Sequence, residues 1–220
     1  GQANWLTPRE LKHMRALYAG EVTLVDTWLG KFLDTLEELG LMKKTLIVFL
    51  SDHGHTLGEH NLTGKIPWAM YPELVDIPAL YYDPELPGGA KVDGLIYNLD
   101  LITTVMNRLG VTSQVHLDGI DLRLMIAGGH GGRPYVTCAF KDFVYVRRGR
   151  QALIAHYRGS RFQLFDLDTD PNCERNIADK NRELCQEMFG LALKDAGGTL
   201  PLYEGHTTFA DGSEEGVTDY

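Results

Sequence analysis

Thr45-Leu46-Ile47-Val48-Phe49-Leu50-Ser51-Asp52-His53-Gly54-His55-Thr56-Leu57-Gly58-Glu59-His60-Asn61-Leu62-Thr63-Gly64-Lys65 is the stretch on which the reading of this chain turns. The apolar run behind Thr45 has the length of a strand and ends in Ser-Asp and a glycine. Such a run reads as a buried strand of a mostly parallel sheet. Sheets of that kind bind ligands beyond the carboxyl ends of their strands, where Asp52 and His53 stand. A carboxylate beside an imidazole suits a divalent cation, and Lys65 offers a positive charge to an anion next to it. Taken alone, Asp-His-Gly is also an ordinary strand-ending turn with an Asx hydrogen bond.

Upstream, Thr7-Pro8-Arg9-Glu10 is a helix start: Thr7 caps, Pro8 fits the first turn, and Glu10 completes a capping box. Apolar residues then recur at helical spacing through Leu11, Met14, Tyr18, Val22, Val25, Leu29, Phe32, Leu36 and Leu39, and Gly40 is placed to end the helix. Gly20 and Gly30 weaken the expectation of one unbroken helix. Downstream of Lys65, Ile77–Tyr82 reads as a second short strand, with Pro78 at an edge or bend. Asn98 or Asp100 caps a helix that Gly110 stops, and Asp118 to Asp121 opens another short element.

From Pro134 the texture changes. Tyr135–Ala139, Phe143–Arg147, Ala152–His156 and Phe162–Asp166 are β-type runs separated by glycine or basic turns, which predicts a small antiparallel meander. Asn181–Leu193 has the pattern of an amphipathic helix, and a Gly-, Thr- and acid-rich tail follows Gly197. Arg147-Arg148-Gly149-Arg150 fits a solvated hairpin turn better than a nucleic-acid patch in so acidic a chain. Gly128–Gly132 lacks the downstream Lys-Ser/Thr of a phosphate loop. Trp68, Met70 and Tyr71 suit either a substrate wall or core packing. His13, His116, His130, His156 and His206 show no ligand spacing.

The chain has 220 residues, 44% of them hydrophobic, and a formal charge of −9. It can bury a real core, and its charge disfavours nucleic acid or an anionic membrane as partner. A small anionic substrate stays open, because a metal and one lysine can reverse the local field. Three unpaired-looking cysteines (Cys138, Cys173 and Cys185) and the lack of an opening secretory segment favour a reducing, cytoplasmic setting. Asn61-Leu62-Thr63 fits a glycosylation sequon but falls inside the presumed site and is read as coincidence.

The Ser51-Asp52-His53-Gly54…Gly58-Glu59-His60…Lys65 segment resembles that of the sulfatase family, including its phosphonate monoester hydrolase relatives. The likeness extends along the chain. Leu17 to Asp26 is similar to the family's helix before the metal strand, and Asp76-Ile77-Pro78-Ala79-Leu80-Tyr81 to its strand after the lysine. Asp118-Gly119-Ile120-Asp121-Leu122 resembles its Asp-Gly turn. Phe162 to Pro171, with Glu174-Arg175-Asn176-Ile177-Ala178, resembles its terminal segment.

The resemblance implies an alkaline phosphatase-like α/β fold: a mostly parallel sheet with flanking helices over residues 1–133, then a small antiparallel subdomain with a helix and tail over 134–220. It implies a metal-dependent hydrolase of sulfate esters, with phosphonate monoesters or phosphodiesters as the alternative substrates. Asp52 and His53 become ligands of one divalent ion, calcium first, then manganese or magnesium. Lys65 becomes a catalytic, substrate-binding cation. His60 is a further catalytic candidate and His55 lines the substrate pocket. No Cys or Ser here heads the family's x-Pro-x-Arg motif, so the formylglycine nucleophile is expected on an N-terminal part. This chain then corresponds to the second half of a sulfatase, with that N-terminal part as partner and self-association into a homo-oligomer compatible. Without it, a non-catalytic structural or binding fragment is the remaining reading.

Overall fold

Thr7 and Glu10 close the expected capping box, the Thr7 N–H donating to Glu10 Oε2 at 2.8 Å and the Glu10 N–H to Thr7 Oγ1 at 3.3 Å. The computed structural model describes residues 2–128 and 132–201. Helix α1 runs unbroken over Pro8–Glu38. Gly20 and Gly30 therefore lie inside one helix; each costs about 1 kcal/mol relative to alanine, too little to break a helix of this length. Gly40 (φ +65°) turns the chain out in the left-handed conformation, and the Leu41 N–H returns to the Leu36 carbonyl at 2.8 Å.

The chain divides into two compact units: Ala3–Asp52 with Ile77–Gly132, and His53–Asp76 with the chain from Arg133 on. One cut between the units falls at 132/133, and residues 53–76 cluster with the chain from Arg133 on.

In the first unit, β1 (Ile47–Leu50) pairs with β4 (Ala79–Tyr82), with Ile47 opposite Tyr82 and Leu50 opposite Ala79. The α/β class holds, but this pair is antiparallel and not the buried parallel strand that the apolar run suggested. Among the described residues β1 is only half-buried, and Leu50 is 39% exposed. An apolar run reports affinity for a core; strand sense is set by the connection that brings the next strand back. One patch of the ladder, Val48 and Tyr81, packs on Leu101, Leu122 and Met125, contributed by α3 (Asn98–Arg108), the turn after it and α4 (Arg123–Ile126). Asp100 ties this corner together: its carboxylate accepts the Tyr97 N–H at 2.6 Å and the Ile120 N–H at 2.8 Å. The cap at α3 is thus Asp100 reaching back from the first turn.

In the second unit, β5 (Val136–Phe140), β6 (Phe143–Arg148), β7 (Gln151–His156) and β8 (Ser160–Asp166) form the antiparallel meander in chain order. Gly149 (φ +55°) sits in the basic hairpin turn expected between β6 and β7. Alternation along β6 and β7 splits the core in two. Val144, Val146, Leu153 and Ala155 face Cys185, Met188, Phe189 and Ala192 of α5 (Arg182–Asp195). Phe143, Tyr145, Ala152 and Ile154 pack on Leu62, Ile66, Ala69, Met70, Tyr71 and Leu74. That second layer is the reason residues 53–76 belong to this unit: the sheet needs both faces covered, and this segment covers one. Met70 and Tyr71 are accordingly core residues, 1% and 7% exposed.

All three cysteines are free thiols. No helix among the described residues is long and apolar enough to cross a membrane. His130, His206 and most of the acid-rich tail (202–220) lie outside the described residues.

Candidate functional site

Two short strands carry the motif. β2 (Thr56–Leu57) pairs antiparallel with β3 (Thr63–Gly64), Thr56 opposite Gly64 and Leu57 opposite Thr63, and Thr56 Oγ1 donates to the Gly64 carbonyl at 2.8 Å. His55 precedes the Thr56–Gly64 pair and Lys65 follows it. The register therefore brings His55 and Lys65 to the same open end of the hairpin, both exposed. His53, three residues before Thr56, is at this end too, and Asp52 is its neighbour in the chain.

Gly54 anchors the approach to the hairpin. Its N–H donates to the Leu74 carbonyl at 2.8 Å, and a Cβ there would meet the Glu73 carbonyl oxygen at 1.9 Å. Only glycine lets the Asp-His-Gly turn lie on α2 (Pro72–Val75) this closely. His53 Nδ1 is 2.8 Å from the Gly54 carbonyl oxygen. A carbonyl can only accept, so Nδ1 carries the proton and a neutral ring keeps its lone pair on Nε2. A histidine that bonds the backbone through one ring nitrogen can bind an ion through the other. Asp52, exposed, carries a hard oxygen donor of the kind a divalent cation takes. No three His, Cys, Asp or Glu side chains gather into a metal-holding group among the described residues.

The closed end of the hairpin is built differently. His60 (φ 53°) and Asn61 (φ 57°) both adopt the left-handed conformation, rare away from glycine. Glu59 holds the turn, accepting the Leu57 N–H at 2.5 Å. His60 stacks on Tyr71, ring centroids 4.0 Å apart. Tyr71 donates through its hydroxyl to Gln163 Oε1 at 2.8 Å, and Gln163 Nε2 donates to the Trp68 carbonyl at 2.7 Å. Burial, with Cys173 and Glu73 adding to it, pushes the Tyr71 hydroxyl up to about 12, which keeps it a donor. So His55 and Lys65 come together at one end, while His60 is held against the core at the other. The Tyr71–Gln163 link was missed in the sequence; the only signal available was a lone polar residue at an inward position of β8.

The sulfatase family model matches residues 2–111, half of the chain, and takes in α1, β1 and the whole hairpin. The chain belongs to the sulfatase family. It is similar to arylsulfatase K of Mus musculus, 27% identical over 198 residues, which covers 83% of this chain and 35% of that protein. It is 34% identical over 232 aligned positions to the multifunctional alkaline phosphatase superfamily protein PehA of Trinickia caryophylli, covering 92% of this chain and 45% of the relative. Among solved structures, the phosphonate monoester hydrolase of Agrobacterium radiobacter matches with a TM-score of 0.74 and 27% identity, over 95% of this chain and 46% of that one. The phosphonate monoester hydrolase from Silicibacter pomeroyi shares the fold, with a TM-score of 0.77 at 22% identity. The chain spans between about a third and a half of the length of these relatives.

Proposed function

We propose that this chain is the C-terminal portion of a metal-dependent sulfatase that hydrolyses sulfate esters. The observation that supports this best is the hairpin register, which brings His55 and Lys65 to one end beside the Asp52-His53 step in a chain of this family. In this reading Asp52 and His53 Nε2 hold one divalent ion, calcium before manganese or magnesium. Such an ion supplies Lewis-acid polarisation of the ester's oxygens. Lys65 binds a non-bridging oxygen and offsets the negative charge that grows as the ester cleaves. His55 contacts the substrate from the facing position. His60 remains a catalytic candidate in this reading, and its stack on Tyr71 also holds the loop. The nucleophile, a formylglycine, belongs to an N-terminal part that completes the domain.

A second reading is a phosphonate monoester or phosphodiester hydrolase. It is favoured by PehA, whose identity to this chain exceeds that of the arylsulfatase K relative. Both ester classes present a tetrahedral anionic centre to the same cation and lysine.

The test uses the polypeptide extended through the coding sequence upstream of Gly1, assayed in parallel on an aryl sulfate, a phosphodiester and a phosphonate monoester. Faster turnover of the sulfate, lost in Lys65→Ala and His53→Ala, supports the first reading. Preference for the phosphorus esters selects the second. No turnover of any of them leaves a binding or structural role.

A further inference from the structure

β2 and β3 are two residues each and share two pairs, Thr56 with Gly64 and Leu57 with Thr63. A two-stranded ladder is marginally stable in water even when longer, and cross-strand side-chain pairs are what stabilise it. The pair nearest His55 and Lys65 has no such support, because Gly64 (φ +90°) brings no side chain. The closed end is tied several times over. The Gly58 N–H donates to the Leu62 carbonyl at 2.8 Å, Glu59 accepts the Leu57 N–H, and His60 lies on Tyr71. Across the open end runs a side-chain tie of another kind: Thr56 is 0% exposed, and its Oγ1 donates to the Gly64 carbonyl at 2.8 Å.

That carbonyl belongs to the peptide bond between Gly64 and Lys65. The bond is planar, so fixing its oxygen constrains the plane that carries the Lys65 N–H and Cα. A β-branched side chain has few χ1 choices, which makes Thr56 a stiff strut. We propose that Thr56 is a positioning residue for Lys65: its buried hydroxyl, acting through the Gly64 carbonyl, sets the peptide plane from which the lysine ammonium reaches an anionic ester. This rests on the anion-binding role proposed for Lys65, and Thr56 itself touches no substrate. His55 is joined to Thr56 by its own planar peptide bond and is held to the same strut. The backbones that carry the two exposed side chains of the open end therefore keep a fixed spacing.

The test is a mutant cycle in the polypeptide extended upstream of Gly1, with kcat and KM measured on its fastest ester and the thermal midpoint recorded for each variant. Thr56→Val keeps the shape and removes the donor, Thr56→Ser keeps the donor, and Thr56→Val is also combined with Lys65→Ala. Thr56→Val should lower kcat/KM by roughly 10- to 100-fold, the scale of a small misplacement of a catalytic group. Thr56→Ser should restore most of that loss, and Thr56→Val should change nothing further once Lys65 is replaced by alanine. A residue that merely stabilises the hairpin would lower the rate by the same factor in both backgrounds, and that result overturns the proposal. Full turnover in Thr56→Val overturns it too, as does a Thr56→Ser variant as slow as Thr56→Val. Where Thr56→Val shows no cooperative thermal transition, Thr56→Ala removes the donor without setting a new methyl beside the carbonyl and takes its place in the cycle.

A second readout does not depend on turnover. In the isotope-labelled polypeptide, the Gly64 carbonyl-carbon resonance should shift and the Lys65 backbone order parameter should fall in Thr56→Val, and both should be retained in Thr56→Ser. An unchanged order parameter at Lys65 in Thr56→Val overturns the proposal even in an active enzyme. Loss of order at Lys65 in a polypeptide that cleaves no ester, or whose Lys65→Ala variant is as fast as the parent, sinks the catalytic reading of Lys65 alone and leaves Thr56 as the residue that places it.

Discussion

The imidazole of His60 lies on the ring of Tyr71, centroids 4.0 Å apart and planes 29° from parallel. A left-handed histidine costs backbone energy on the order of 1 kcal/mol, and the stack is what the loop gains in return. Tyr71 is in turn fixed by Phe165, edge-on at 5.8 Å, and by its hydrogen bond to Gln163. The hairpin is therefore referenced to the meander through one aromatic side chain.

Tyr71→Phe keeps both ring contacts and removes one hydrogen bond, leaving Gln163 Oε1 without this donor. A loss of about 1 kcal/mol is expected in urea unfolding. Tyr71→Ala removes the ring as well and should cost about 3–5 kcal/mol. Amide exchange at Gly58 to Leu62 should rise sharply in Tyr71→Ala and little in Tyr71→Phe. Equal exchange in the two variants would show that the stack does not hold the loop.

Gly54→Ala tests the contact beneath the motif. The new methyl has nowhere to go except against the Glu73 carbonyl, so the turn must lift off α2 and weaken the Gly54–Leu74 hydrogen bond. Overpacking of this kind costs about 1–3 kcal/mol. Because His53 bonds the Gly54 carbonyl, the ring should lose its fixed orientation too. Calorimetric titration with calcium or manganese should then show weaker binding than in the parent chain. Unchanged stability and unchanged titration together would refute the close packing.

The meander, the capping box at Thr7 and the turn at Gly149 were legible in the sequence because each is set by local chemistry: alternation, a side-chain oxygen three residues from its partner, a residue tolerant of positive φ. The pairing of β1 with β4 was not, because an apolar run carries no information about strand sense. Nor could the sequence show that Met70 and Tyr71 face the meander, since a loop aromatic beside a site and a core aromatic look alike in one dimension. In the site, the sequence gathered His55, His60 and Lys65 into one segment but did not show the hairpin whose open end carries His55 and Lys65. It could not separate His60 from them, because the left-handed turn that sends it to the other end has no consensus residue at that position.

Unit stability should depend on acid through Asp83. Its carboxylate, nearly buried, accepts from Arg108 Nε and Nη2 at 2.5 and 3.2 Å and from the Glu85 N–H at 3.0 Å. The Arg108 hydrogen bond is the main cause holding its carboxyl below the usual range, with burial opposing. Arg123 does the same for Asp121. The folded state thus binds these protons less readily than the unfolded state. The stabilisation is fully present above the unfolded value of about 4 and is lost as pH falls through the depressed folded values. Denaturant midpoints should be flat from pH 7 to 5 with respect to these groups and fall below 4. Asp83→Asn should be less stable at pH 7 and show a shallower acid limb; an acid limb as steep as the parent's would remove Asp83 from the account.

Tyr145 presents the opposite case, a polar group whose removal should help. Its ring fills the core between β6 and the 62–75 segment at 4% exposure, and its hydroxyl has no hydrogen-bond partner among the described residues. Burial, with Asp76 adding to it, raises the hydroxyl's pKa, so the group stays a protonated donor with no acceptor. An orphaned buried hydroxyl costs about 1–3 kcal/mol, whereas the ring contributes most of the side chain's apolar burial. Tyr145→Phe keeps the ring and removes the orphan, and should raise stability by about 1 kcal/mol, or roughly 2–4 °C in thermal midpoint for a chain of this size. Tyr145→Ala, by contrast, opens a cavity and should cost about 3–5 kcal/mol. A Phe variant less stable than the parent would mean that the hydroxyl is bonded in solution, to an ordered water.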